Sequence, residues 1–282
     1  MKQKNVEELC KQSCQVVLDA ATFIQEELGE VEVKDIDVKS VNSLVSYVDK
    51  ESEKKLVAGL TALLPEAVFI TEEETVAALE GDYRWIIDPL DGTTNFLHQL
   101  PFFAISVGLQ YKEQTILGIV CEVSRKDLFY AWKDGGSWLN GKPIKVSTNT
   151  ILQDAMIATG FPYYDYQHVP AYLQTLEYFM RKTRGIRRFG AAALDLAYVA
   201  CGRFDAYYEY SLSPWDVAAG ALLVEEAGGR VSDFKGKDNY LFGREIIVGS
   251  AAMFDEIFET VNGAFYPIES QKKHVRFSKR DT

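Results

Sequence analysis

The sequence predicts a mixed α+β/α/β fold, because helical and strand periodicities both run through it and the two halves combine them differently. From residue 103 to 147, apolar segments are cut by turn signals at Asp134, Gly135 and Gly136 and again at Asn140 and Gly141, which predicts an antiparallel meander. Beyond about residue 150, short strands at 155–159, 204–208 and 246–249 alternate with helices. Ahead of the meander lies an amphipathic first helix, with Val6, Leu9, Val16, Val17, Ala20, Ile24 and Leu28 at helical spacing before Gly29. A strand near 44–48, a second helix over roughly 50–64 and a strand ending in FITEE follow. No repeat, low-complexity tract or linker separates the halves, so 1–150 reads as an N-terminal α+β half and 151–266 as a C-terminal α/β half with a soft boundary. The stretch 267–282 is polar and basic, lacks an apolar face and reads as a mobile tail.

With 282 residues and 47% hydrophobic content, the chain can bury a sizeable core. Its formal net charge of −11 argues against nucleic-acid or anionic-membrane partners, whose phosphates that field repels. Residues 1–30 are charged and amphipathic, unlike a signal peptide, and no apolar run reaches the roughly 18 residues of a membrane span, so a cytoplasmic location is expected. Cys10 and Cys14 stand one helical turn apart, but no partner ligands group with them; with Cys121 and Cys201 they read as buried free thiols. His98, His168 and His274 are not paired at zinc-ligand spacing. A metal site here would be built of oxygen, which suits magnesium or manganese.

The stretch WIIDPLDGTTNF, residues 85–96, carries most of the chemistry. Trp85, Ile86 and Ile87 read as the end of a buried strand, Pro89 as a turn, and Gly92 as a position needing backbone freedom. Asp88 and Asp91 therefore leave the sheet at one loop, where two like charges call for a proton or a cation. The N–H groups of Gly92 and Thr93 can face an anion beside that cation. Alone, the same residues also read as an Asp-Pro turn followed by a Thr cap. Two further acidic groups add weight: Glu72, Glu73 and Glu74 after an apolar run, and Asp216 in SPWDVAAGALLVEEAGG, where Ser213 caps a helix and Pro214 opens it.

With WIIDPLDGTTNF and WDVAAGALLVEEAGG in that order, the chain resembles the inositol monophosphatase family, from about residue 5 to about residue 265. These are magnesium-dependent, lithium-sensitive sugar-phosphate phosphatases. The resemblance implies a layered α-β-α-β-α sandwich, a homodimer, and two to three Mg2+ per site, with Mn2+ able to substitute. It assigns Glu72, Asp88 and the Leu90 carbonyl to a first metal, Asp88, Asp91 and Asp216 to a second, and Glu73 to a water-rich third. Catalysis is implied for Thr93 with Asp49, which orient and deprotonate the attacking water, and for Glu72 as ligand. Asp49 is also placed to cap the helix that follows it. Metal ions in such a site offset the repulsion between hydroxide and a phosphate dianion, so direct attack by water is expected. The DxDx[TV] string of aspartyl-phosphate enzymes is absent near the N-terminus.

Substrate contacts implied by the resemblance fall on Asp91, Gly92, Thr93, Gly190, Ala191, Ala192 and Glu209. Glu209 stands seven residues before Asp216 and suits a polyol hydroxyl. In GIRRFGAAALDLA, Ala191 replaces a Thr or Ser, which weakens the case for myo-inositol. Arg187 and Arg188 precede it, either as subunit contact or surface charge or, as in relatives that accept fructose 1,6-bisphosphate, to bind a second phosphate. The expected activity is hydrolysis of a small sugar or polyol phosphate, inositol 1-phosphate foremost. Fructose 1,6-bisphosphate and a 3′(2′),5′-bisphosphate nucleotide are the alternatives, the latter disfavoured by DGTTNF where nucleotidases carry DGTKEF. A binding or regulatory scaffold of the same fold is the alternative from another class.

Overall fold

The computed structural model describes residues 3–40, 43–77, 79–162 and 165–267; the tail expected at 267–282 lies, from 268 on, outside the described residues. Helix α1 (Gln3–Glu26) leads to a hairpin of β1 (Ile36–Ser40) and β2 (Ser43–Ser46), then α2 (Tyr47–Leu63). Strands β3 (Val68–Thr71) and β4 (Tyr83–Asp91), the short α3 (Thr93–Leu97), and strands β5 (Ala104–Tyr111), β6 (Gln114–Glu122), β7 (Asp127–Trp132), β8 (Ser137–Leu139) and β9 (Lys142–Ile144) complete the first half. The seven strands β3 to β9 lie in sequence order in one sheet, parallel only between β3 and β4, so the expected meander is present.

The second half supplies β10 (Met156–Thr159), α4 (Val169–Lys182), β11 (Gly185–Arg187), α5 (Ala192–Ala200), β12 (Ala206–Tyr210), α6 (Pro214–Glu226), β13 (Gly229–Ser232), α7 (Tyr240–Gly243), β14 (Glu245–Ser250) and α8 (Phe254–Phe265). Its five strands run in the order β11-β10-β12-β14-β13, parallel around β10 and antiparallel beyond β12.

Strand alternation divides the core into three apolar layers. Trp85, Ile87, Val107, Leu109 and Ile119 face α1 and α2. From the same sheet Ile86, Ala104, Val120 and Phe129 face α5 and α6, whose other side meets Tyr207, Ile246 and Val248 of the small sheet. Ile157, Ala206, Tyr208 and Ile247 pack against Tyr172 and Phe179 of α4 and Ile257 and Val261 of α8. The layers are thus α-β-α-β-α, as the resemblance implied. Because α6 lies between two sheets, it is apolar all round, with Val217 to Val224 buried without interruption. It also comes very close to the large sheet: a Cβ on Gly108 would meet the Ala218 Cβ at 2.9 Å, and one on Gly118 the Ala219 carbonyl at 2.7 Å.

Several local expectations are corrected. Helix α2 begins at Tyr47, so Val48 belongs to it and not to the preceding strand. Its cap is Ser46; Asp49 is the third helical residue, and its carboxylate returns to the Ser46 N–H in a capping box. Pro89 does not end the strand. β4 continues to Asp91 through a bulge, since Asp88 pairs with Ser106 and Asp91 with Ala104, three residues against two. A proline has no N–H to lose there, so a bulge tolerates it.

Candidate active site

The bulge in β4 explains how two acids three apart reach one place. On a regular strand Asp88 and Asp91 would point to opposite faces; one extra residue offsets the alternation, and both line the same cavity. That cavity, about 480 Å³, is also lined by Glu72 just past β3, by Leu90, Gly92, Thr93 and Thr94, by Gly190, Ala191 and Ala192 at the start of α5, and by Glu209, Asp216, Arg188 and Arg244. The predicted residues from four chain segments therefore meet. Asp49 and Glu73 are not among the lining residues: Asp49 is buried behind Thr93, and the Glu73 N–H points toward α2. Arg187 is exposed and bonds the carbonyl of its own neighbour, Ile186.

Asp88, Asp91 and Asp216 are each anchored by a backbone N–H. Asp88 Oδ1 accepts the Leu90 N–H at 3.0 Å. Asp91 Oδ2 accepts the Ala193 N–H at 2.7 Å and so caps α5 from another strand, where Ala191, the N-cap residue, has no side chain able to do it. Asp216 Oδ2 accepts the Ser213 N–H at 2.7 Å in the capping box of α6. The Thr93 hydroxyl lies 2.8 Å from Asp49 Oδ1 and 3.0 Å from the Leu90 carbonyl, two acceptors for one proton.

Burial raises the pKa of Asp49, Asp88, Asp91, Glu209 and Asp216, and for Asp88, Asp91, Glu209 and Asp216 neighbouring acids add to it. Burial pushes Asp88 well above the usual carboxylate range, and the charges of Glu72, Asp91 and Asp216 and a hydrogen bond to Glu72 add to it. Asp91 is pushed up to about 7, mainly by burial, with the Ala193 N–H opposing. Asp216 rises through burial and then through Asp91. Glu209 is also pushed up to about 7 by burial, against the Tyr207 hydroxyl, which donates to its Oε2 at 2.5 Å, and against Arg188. Asp49 rises through burial, opposed by hydrogen bonds from Ser46 and Thr93.

This is an all-oxygen donor set suited to a hard divalent cation, which would relieve that mutual repulsion. Among the described residues, no three His, Cys, Asp or Glu side chains converge on a single coordination point. Without a cation, a proton on Asp88, favoured by the hydrogen bond to Glu72, would relieve part of the same repulsion.

Some residues escaped the sequence reading. Asn95 Nδ2 donates to the carbonyls of Phe102 and Phe189, tying α3 to the loop before α5. Tyr207 was legible, being two residues from Glu209 on one strand and so on the same face. Gly160 is obligatory for that pair, because a Cβ there would meet the Glu209 carboxylate at 1.9–2.0 Å. Asp195, buried on α5, feels Glu209, Asp91 and Arg188 without lining the cavity. For Arg244 the sequence offered no signal.

Carboxylates gathered from the ends of two strands and the start of a central helix, within five alternating layers, define a family, and residues 5–264 match it. The chain belongs to the inositol monophosphatase family. It is similar to the Nus factor SuhB of Pseudomonas aeruginosa, at 40% identity over 247 residues, covering 86% of this chain and 91% of that protein. It is likewise similar to the inositol-1-monophosphatase of Mesorhizobium japonicum, at 36% identity over 250 residues, covering 88% and 93%. The crystal structure of the extragenic suppressor protein suhB from Bartonella henselae superposes with a TM-score of 0.82 at 36% identity, covering 88% of this chain and 95% of that one.

Proposed function

We propose that the protein is a Mg2+-dependent phosphomonoesterase that hydrolyses a small sugar or polyol phosphate, inositol 1-phosphate foremost, in the cytoplasm. The observation that carries this reading is the convergence of Glu72, Asp88, Asp91 and Asp216 on the cavity that also holds Thr93 and Glu209. Glu72, Asp88, Asp91, Asp216 and the Leu90 carbonyl would hold Mg2+, or Mn2+ in its place, with Glu73 nearby. When bound, the cation neutralises phosphate charge and makes water more acidic.

The chain's own residues do the rest. With its proton committed to Asp49, the Thr93 oxygen offers a lone pair into the cavity and can orient a water there. The burial that raises Asp49 makes it a better proton acceptor for that relay. Gly92, Gly190, Ala191 and Ala192 bring backbone close to the phosphate position, and Glu209, held by Tyr207, receives hydroxyls of the alcohol half. Arg188 beside Glu209 favours an alcohol that carries a second negative group, which keeps fructose 1,6-bisphosphate as the second substrate to try.

The relative named a Nus factor suggests a different class of role, binding without chemistry. The intact acidic set favours chemistry, because a scaffold does not require four mutually repelling acids in one cavity. A screen of phosphate esters with purified protein in Mg2+ decides. Phosphate release led by inositol 1-phosphate or fructose 1,6-bisphosphate supports the proposal; a clear lead for 3′-phosphoadenosine 5′-phosphate, or no release from any ester, contradicts it.

A further inference from the structure

Helix α2 presents Asp49, Ser52 and Glu53 along one side, and all three are buried. Asp49 holds Thr93, and the Ser52 hydroxyl donates to the Pro89 carbonyl at 3.2 Å, inside the bulge. Glu53 holds a second segment of the site, the loop that follows β3. Its Oε2 accepts the Glu73 N–H at 2.8 Å, and its Oε1 accepts both the Thr75 N–H at 2.8 Å and the Thr75 hydroxyl at 2.7 Å. The residue between these two donors, Glu74, has a φ of 52°, a left-handed conformation uncommon for a residue with a side chain. That turn lets the N–H groups on either side point the same way, toward one carboxylate. A buried anion receiving three donors from a loop fixes that loop far more firmly than exposed contacts do.

We propose that Glu53 is a positioning residue: by fixing the loop that begins with Glu72 and Glu73, it sets the protein's affinity for its divalent cation. The inference rests on the metal-dependent reading above. Glu53 touches neither substrate nor cation; it spares the loop the ordering that cation binding would otherwise have to impose. Loosening the clamp should therefore weaken metal binding while leaving the turnover reached at saturating metal almost intact.

Two variants test this. In Glu53→Gln one accepting oxygen becomes an amide that faces a backbone N–H, so one arm of the clamp is lost. In Thr75→Val the hydroxyl arm alone is removed with the side-chain shape kept. Mn2+ binding without substrate, followed by water-proton relaxation, should weaken about tenfold in Glu53→Gln and about threefold in Thr75→Val, the range expected for losing the net contribution of one hydrogen bond. Half-maximal activity should require correspondingly more Mg2+, with kcat at saturating Mg2+ within about threefold of the unaltered protein. A merely structural role would lower the metal-free melting temperature and leave Mn2+ affinity unchanged; that result overturns the inference. If Glu53→Gln does not fold, Thr75→Val decides by the same criterion. Failure of the unaltered protein to bind Mn2+ would overturn the metal-dependent reading itself, and this inference with it.

Discussion

At the scale of single residues, the site is a set of acids held where none would settle alone, and its chemistry and pH behaviour share that origin. Burial pushes Asp91 and Glu209 up to about 7. In the metal-free protein the folded state therefore holds more protons than the unfolded chain between about pH 4 and pH 7. The stabilising contribution of the protonated forms is complete below the unfolded pKa values and is lost as pH rises through 7. Without divalent cation, the melting temperature should fall between pH 5 and pH 7.5; with saturating Mg2+ that fall should become shallower, because the cation takes the place of the proton on Asp91, a proposed ligand, while Glu209 keeps its own. Scanning calorimetry in chelator and in Mg2+ reads both slopes, and parallel slopes would mean that the acids do not face a common cation. Glu209 is proposed to have the more specific duty of receiving the alcohol half of the ester. The Tyr207 hydroxyl and the bare Cα of Gly160 fix its carboxylate toward the cavity, so Glu209→Ala should cost about ten- to a hundredfold in kcat/KM on a polyol phosphate and much less on an aryl phosphate. Equal losses on both esters would remove its role in substrate choice.

At the scale of elements, close contact decides what positions the site. Helix α6 brings Asp216 to the cavity only because it lies against the large sheet over Gly108 and Gly118. In Gly118→Ala the new Cβ would come within 2.7 Å of the Ala219 carbonyl, backbone that cannot step aside. The variant should lose about 1–3 kcal/mol of stability, the usual cost of overpacking, and lose activity through a displaced Asp216. Urea denaturation with unchanged stability would show that the layer spacing is looser than these contacts imply. The same closeness explains what could be read in advance. The amphipathic α1, the meander and the capped start of α6 follow local periodicity and capping rules, so the sequence displayed them. The bulge at Pro89 did not show, because a proline reads locally as a turn and only the pairing with Ser106 and Ala104 keeps it in the strand. Among the site residues, Asp88, Asp91 and Asp216 stood out within motifs. Glu53 did not, because its partners lie 20 and 22 residues further along the chain.

At the scale of the whole molecule, the two halves share one middle layer, so the acids from β4 and the acid from α6 are held by packing on both sides. No helix among the described residues is long and apolar enough to cross a membrane. A homodimer is proposed from family membership, since symmetric dimers are the commonest closed assemblies. Light scattering at micromolar concentration should give about twice the mass of 31.8 kDa, and a monomer there would contradict it. The central claim is that this sandwich gathers its acids to hold a divalent cation for phosphate-ester hydrolysis. The most direct measurement is phosphate release from inositol 1-phosphate by the purified protein in Mg2+, in chelator, and in Mg2+ with millimolar-scale lithium. The account predicts turnover in Mg2+, none in chelator and a clear fall with lithium; turnover that persists undiminished in chelator would contradict it.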